Sequence, residues 1–293
     1  MSRLKTFLLA FAAAMVALPS MAQGVVVFKK DGTRVDFPYE AIDSIVTYNY
    51  DETPPTGGGS VSDGQNKVYT VNGVSFKMIY VKGGTFTMGA TSEQTGADSD
   101  EKPRHSVTLS DYYIGETEVT QELWSAVMGS NPSYFTGDMQ RPVECVSWND
   151  CQTFISKLNE LTGETFRLPT EAQWEYAARG GNKSEGYIYS GSNTIDDVAW
   201  YHDNSSHTTH PVKTKASNEL GIYDMSGNVW EWCSDWYGSY SSAAQTDPAG
   251  PSTGSNRVYR GGSWNFGATY CRVAKRDFSG AGSGEFLGLR LAY

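Results

Sequence analysis

Residues 166–181 read FRLPTEAQWEYAARGG, the last stretch of the chain with a complete helix signature. Thr170 and Gln173 have the spacing of a capping box, and Gly180-Gly181 ends the periodic segment. Two further helices are predicted upstream. Thr120 precedes QELWSAVMG, in which Leu123, Trp124, Val127 and Met128 share a face before Gly129. Asn149 precedes DCQTFISKLNELTG, with Phe154, Ile155, Leu158 and Leu161 on one face and Gly163 at its end. Beyond Gly181 the sequence predicts short strands and long Gly/Asn/Ser-rich loops. Ordered loops of that length inside a domain usually serve binding or catalysis.

The 293 residues carry a net charge of −10, which argues against a nucleic-acid partner. Eighteen tyrosines and 8 tryptophans are a high aromatic load, enough for a core and a recognition surface together. At the start, Arg3 and Lys5 precede the apolar run 7–18, and Ser20-Met21-Ala22 offers small residues at the cleavage positions. Residues 1–22 are therefore predicted to be a secretory signal peptide, with the protein periplasmic, secreted or at the cell surface. The run is too short to span a bilayer, so the protein is not expected to be an integral membrane protein. No cysteine follows it, which disfavours a lipid anchor.

Residues 23–50 alternate apolar and polar around Asp31-Gly32, predicting a small β module: a hairpin and one more strand. Residues 51–67, DETPPTGGGSVSDGQNK, lose all periodicity and read as a linker to a main domain over 68–293. Four cysteines, Cys145, Cys151, Cys233 and Cys271, favour disulfides in an exported chain. Three pairings are open, of which Cys145–Cys151 with Cys233–Cys271 is preferred.

Six stretches, in order along the main domain, are GGTFTMG, RPVECVSWNDC, FRLPTEAQWEYAARGG, GIYDMSGNVWEWCSDWYG, RVYRGGSW and the closing LGLRLA. Together they resemble the formylglycine-generating, sulfatase-modifying factor family. The resemblance implies an α+β, C-type-lectin-like fold with little regular secondary structure, the small β module lying outside it. It also implies an oxidase that converts a substrate cysteine to formylglycine on a copper(I) ion held by two thiolates. Those thiolates fall five apart in the family: Cys271 matches the second, and Phe266 stands at the first. A phenyl ring is no ligand, and soft copper(I) needs both sulfurs. Cys271 is catalytic only if a thiol from elsewhere, such as Cys233, completes the pair.

For YDMSGNVWEW the resemblance implies a structural calcium held by Asp224, Glu231 and the carbonyls of Gly227 and Val229, hard oxygen ligands of the kind calcium accepts. A second calcium would fall near Asn204 and Ser206. His202, His207 and His210 crowd one polar loop without an acidic or cysteine partner, and are expected to be solvated. Residues 93–101, EQTGADSDE, are expected to be a solvated acidic loop.

The tail, from RVYRGGSW to the C-terminus, also resembles the variable region of proteins diversified by retroelements, which use this fold as a display scaffold. Phe266, Gly267, Tyr270, Asp277, Phe278, Ser279 and Ala281 are all reachable from an asparagine codon by adenine mutation with a fixed third pyrimidine. Lys275 and Glu285 are not, and are framework if the resemblance holds; the alternative is an ordinary glycine-rich loop. Trp264, Phe266, Gly267, Tyr270, Asp277, Phe278, Ser279, Glu285 and Phe286 are the expected ligand-binding residues. Trp264, Phe266, Tyr270, Asp277, Phe278 and Phe286 among them are expected to share one exposed face. Two functions compete. One is an exported, non-catalytic binding or adhesion protein for a protein or glycan on a cell or phage surface. The other is a copper-dependent formylglycine-generating oxidase. The missing thiol favours the first.

Overall fold

In a computed structural model of the protein, residues 24–28, 34–38, 60–63, 65–280 and 282–293 are described. The chain divides into two units, Met1–Pro54 and Pro55–Tyr293. In the first, β1 (Gly24–Phe28) and β2 (Arg34–Pro38) pair antiparallel from Gly24↔Pro38 to Phe28↔Arg34. The expected signal peptide and the third strand of the module lie outside the described residues.

The second unit begins its regular structure with β3 (Ser60–Asp63), inside the stretch read as linker. An edge strand needs only backbone groups, so Gly/Ser composition does not prevent it from pairing with β4 (Asn66–Val71). Along the chain follow β5 (Val74–Val81), β6 (Gly84–Met88), β7 (His105–Leu109) and β8 (Tyr112–Gly115). Next come α1 (Gln121–Met128), α2 (Trp148–Thr162), α3 (Glu171–Ala178) and the single turn α4 (Ile195–Val198). The last strands are β9 (Trp230–Trp236), β10 (Gln245–Thr246), β11 (Arg257–Arg260), β12 (Arg276–Ser279) and β13 (Leu287–Leu289). Among the described residues of this unit the strands form three sheets, ordered β3-β4-β5-β8, β10-β7-β6 and β12-β11-β9-β13.

The caps explain the helix limits. Thr120 Oγ1 accepts from the Leu123 N–H, and left-handed Gly129 closes α1. Thr170 and Gln173 form the predicted box on α3. For α2 the cap is Ser147 rather than Asn149, because Ser147 and Asp150 bond each other reciprocally and draw Trp148 and Asn149 into the first turn. No helix among the described residues is long and apolar enough to cross a membrane.

One core cluster, with Tyr69, Trp124, Phe154, Phe166, Trp230 and Trp232, lies among β4, α1, α2 and β9. A second surrounds α3 with Val107, Cys233 and Val258, and a small third holds Ala199, Tyr201 and Cys271. Cys145, Cys151, Cys233 and Cys271 are all free thiols. The preferred disulfides are thereby corrected: Cys233 and Cys271 belong to different clusters, and Cys151 is buried in the first while Cys145 is only partly buried.

Candidate functional site

The tail leaves β11 at Arg260 and returns as β12 at Arg276, with no strand ladder between to satisfy its backbone. Arginines do so instead. Arg260, fully buried, donates to the carbonyls of Val273, Ala274 and Lys275 at 3.1, 2.9 and 2.7 Å, and to Glu175. Arg276 takes both oxygens of Glu171 at 2.8 and 2.6 Å. Glu171 and Glu175 stand four apart on α3, hence on one side, so one short helix receives both arginines. Arg272 takes both oxygens of Glu101 at 2.7 and 2.6 Å.

That last pair corrects in part the expectation of a solvated acidic loop at residues 93–101, of which Thr95, Gly96, Asp98 and Ser99 are exposed. Glu101 is fully buried, Asp98 pairs with Lys275, and Glu93 pairs with Arg179 at 3.2 Å. The run looks solvated in sequence because its cations are far along the chain. Lys275 is buried and held, as a framework residue would be.

Further ties use tail backbone: the Trp264 N–H donates to the Asn228 carbonyl at 2.9 Å, the His202 N–H to the Phe266 carbonyl at 3.0 Å, and Ser226 Oγ to the Cys271 carbonyl at 2.8 Å. Gly262 is required here, since its φ is +76° and a Cβ would meet Cys271 Sγ at 2.7 Å.

On this frame, Phe266 packs edge-on against Tyr270, Phe286 and Trp230, with ring centroids 5.0, 5.8 and 5.6 Å apart. All three tail rings are half-buried, so the expected exposed face is corrected in part: these rings roof the first core cluster. Trp264 is more deeply buried, 7% exposed, and its indole N–H donates to the Glu285 carbonyl at 2.9 Å. Gly267 is exposed; Glu285 is half-buried. The Nε1 of Trp230, on the floor of the cluster, has no hydrogen-bond partner among the described residues.

Phe278 does not join this face. In β12, Asp277 lies opposite Tyr259 and Phe278 opposite Val258, and successive strand residues point to opposite sides. Asp277 thus stands with Tyr259, which contacts Trp230, whereas the Phe278 ring lies 4.0 Å from Tyr237 and is 40% exposed. Asp277 and burial together raise the Tyr259 hydroxyl, burial the more. Ser279 is half-buried at the end of the same strand; Ala281 lies outside the described residues.

Residues 67–293 match the family model described as a sulfatase-modifying factor enzyme 1-like domain. The chain belongs to the sulfatase-modifying factor family. It is 36% identical over 271 residues to the chaperone protein LppX of Paenibacillus barcinonensis, covering 74% of this chain and 89% of that protein. The formylglycine-generating enzyme of Streptomyces coelicolor is 33% identical over 268 residues, 68% of this chain and 83% of the enzyme. Among solved structures, Treponema denticola variable protein 1 aligns with a TM-score of 0.71 at 37% identity, covering 78% of this chain and 98% of that one. The fold is the α+β, C-type-lectin-like one of formylglycine-generating enzymes.

The family's metals can be set against these residues. Copper does not fit. Cys271 is fully buried, and burial pushes its thiol up to about 12, so it stays protonated at neutral pH. Phe266 turns into the first cluster, Cys271 lies in the third, and Cys233 lies in the second, its thiol also raised by burial. Calcium fits in part. Asp224 is buried with a φ of +59°, and no hydrogen bond reaches the carbonyls of Gly227 or Val229 among the described residues. Burial pushes the Asp224 carboxyl up to about 6, with Glu231 adding to it, and burial holds Glu118 well above the usual carboxylate range beside both. A raised carboxyl resists ionising, so what suits a cation here is the pair of unbonded carbonyls near Asp224 rather than a surplus of charge. Glu231 itself is saturated: Arg290 donates to both its oxygens and Trp174 Nε1 to one, at 2.7–3.1 Å. At the second expected site, Asn204 Oδ1 accepts from the Tyr201 N–H, and Ser206 is exposed with a φ of +56°. The Asn204 oxygen is thus engaged in its own turn.

The histidines separate. His210 stacks on Trp200 at 3.7 Å and bonds the Ser205 carbonyl, and burial lowers its pKa. His202 and His207 are exposed, 5.5 Å apart. No group of three or more His, Cys, Asp or Glu side chains among the described residues is arranged to hold a metal.

Proposed function

We propose that the protein is an exported, non-catalytic binding protein that presents tail side chains on a sulfatase-modifying factor scaffold to a protein or glycan ligand. The observation that carries this is the division of labour in the tail. Backbone atoms and buried arginines hold it, while Phe266, Gly267, Tyr270 and Phe286 remain at the surface without a structural bond of their own side chains. The likeness to a variable protein supports the same reading. A formylglycine-generating oxidase is disfavoured by a single, buried, high-pKa thiol at Cys271. The basic start and apolar run of residues 1–22 support export, and buried Asp224 with the Gly227 and Val229 carbonyls, unbonded among the described residues, supports a structural calcium.

The test is binding of the purified chain to glycan and peptide arrays, beside a Phe266→Ala/Tyr270→Ala variant that still melts cooperatively. Signals lost in the variant support the reading; identical patterns for both proteins refute it. Conversion of a sulfatase-derived cysteine peptide to formylglycine in the presence of copper would also refute it.

A further inference from the structure

One cavity lies away from the tail. It opens between the β4–β5 hairpin and the start of α1, measures about 230 Å³, and takes none of its lining from residues 257–293. Val68 and Lys77, directly opposite each other in the hairpin, stand on one face of it. Phe76 of β5 and Val212, both half-buried, add apolar surface. The segment from Glu116 to Thr120 joins the two walls. The Glu116 N–H donates to the Lys77 carbonyl at 2.9 Å, and Thr120 Oγ1 caps α1.

The polar lining is balanced in charge. Lys213 Nζ lies 2.6 Å from one oxygen of Glu116, and Lys77 Nζ lies 3.8 Å from the other. The second carboxylate is Glu122, whose Oε2 accepts from Gln140 Nε2 at 2.6 Å. Glu118 is spent elsewhere, on Asn228 Nδ2 at 2.7 Å and the Val229 N–H at 3.0 Å. Hydrogen-bonding capacity is left over on both sides. Glu122 Oε1 and Gln140 Oε1 accept no bond from the described residues. An ammonium has three donors, and Glu116 takes one from Lys213, whose side chain is 44% exposed.

We infer that this cavity binds a neutral, hydroxyl-rich small molecule, a single sugar ring or a polyol of that size. Two lysines set against two carboxylates make no field of one sign to recruit an ion. They do put donors beside acceptors, and a hydroxyl serves both, giving one hydrogen and accepting at two lone pairs. Apolar walls with a few polar groups are the usual make-up of a small-molecule site. The volume lies just below the roughly 300–1,000 Å³ that holds drug-sized ligands. Neighbouring hydroxyls take the acceptors left on Glu122 and Gln140 and the donors left on Lys213, which leaves the carbon skeleton to Phe76 and Val212. The site is separate from the tail face and does not depend on it.

The probes are glucose, mannitol and glycerol, with gluconate and glucosamine as charged counterparts, titrated into the full chain and followed by amide shifts in two-dimensional NMR. A neutral probe is expected to bind more tightly than either charged one and to shift amides of residues 75–77, 116–122 and 212–213. Glu122→Ala and Lys213→Met should each weaken it about tenfold, the worth of one hydrogen bond to a charged group. Both side chains reach solvent, so melting should not change. If either variant melts early, the shift map of the unmodified chain decides alone. No binding of any neutral probe at millimolar concentration would overturn the inference, as would tighter binding of a charged one. Shifts gathered at residues 264–270 would also overturn it, and would place the sugar on the tail face instead.

Discussion

Glu101→Ala should destabilise the second unit and release the tail, although residues 93–101 read as an exposed acidic loop. In the folded chain the Glu101 side chain is 0% exposed and that of Arg272 3% exposed, and two bonds of 2.6 and 2.7 Å join them. Arg272 would keep only Gln94 Oε1 at 3.3 Å and the Thr269 carbonyl at 3.0 Å, leaving its charge uncompensated. Breaking one side of such a buried pair costs about 3–5 kcal/mol. Arg272→Met should cost a similar amount by stranding Glu101. The Glu101→Ala/Arg272→Met double variant should lose clearly less than the two singles added, with a coupling of about 0.5–3 kcal/mol. Urea unfolding at one pH and salt concentration, with a constant slope across the four proteins, reads all of this. Losses below about 1 kcal/mol that simply add would mean that the pair is solvent-screened, and the clamp would be refuted.

The tail aromatics should separate on thermal melting: Trp264→Ala should cost about 3–5 kcal/mol as a core ring, and Phe266→Ala or Tyr270→Ala about 1–3 kcal/mol as half-buried ones. Phe278→Ala should cost less than about 1 kcal/mol; equal losses at all four positions would contradict the burial. Burial pushes the Asp235 carboxyl up to about 7, with Glu171 adding to it, against 3.8 as the ordinary value. A raised acid holds its proton more tightly when folded, so its contribution is fully present below about pH 4 and is lost as pH rises through about 7. Asp235→Asn should flatten that part of the unfolding free energy between pH 4 and 8, and an unchanged slope would count against it. Chelating calcium at fixed ionic strength should lower the melting temperature, the loss being about 2.7 kcal/mol when calcium had been at 100 times its dissociation constant; Asp224→Ala should abolish the response. No shift with chelator would exclude the calcium site.

What the sequence made legible is what is decided locally. The caps of α1 and α3 lie within three residues of their partners, so Thr120 and Thr170 are readable. The start of α2 moved because Asn149, a good cap by type, lies inside the stronger Ser147–Asp150 exchange. The Arg–Glu clamp was hidden because its partners stand 105 and 171 residues apart. The aromatic composition of the tail was visible, but its division was not. Only the register of β12 on β11 places Asp277 and Phe278 on opposite sides. Exposed Tyr134 was missed because the isolated pair Tyr134-Phe135 in a polar loop has no periodicity to mark it.

The buried arginines bear on what sets the path of the tail. As ion pairs they are a weak argument for stability, since well-packed apolar residues often do as well. Apolar residues cannot, however, donate to carbonyls, and an irregular buried backbone must have its polar groups satisfied. Arg260 meets three successive carbonyls of residues 273–275 while its charge rests on Glu175. The Trp264, Phe266 and Cys271 backbone groups are met by Asn228, His202 and Ser226, all outside the tail. None of these bonds uses the side chain of residue 266, 267 or 270. Replacement at those three positions therefore alters the roof over Trp230 without altering the path of the chain. Replacement of Arg260, Arg272 or Arg276 removes the donors or charges that define that path, whatever rings the tail carries.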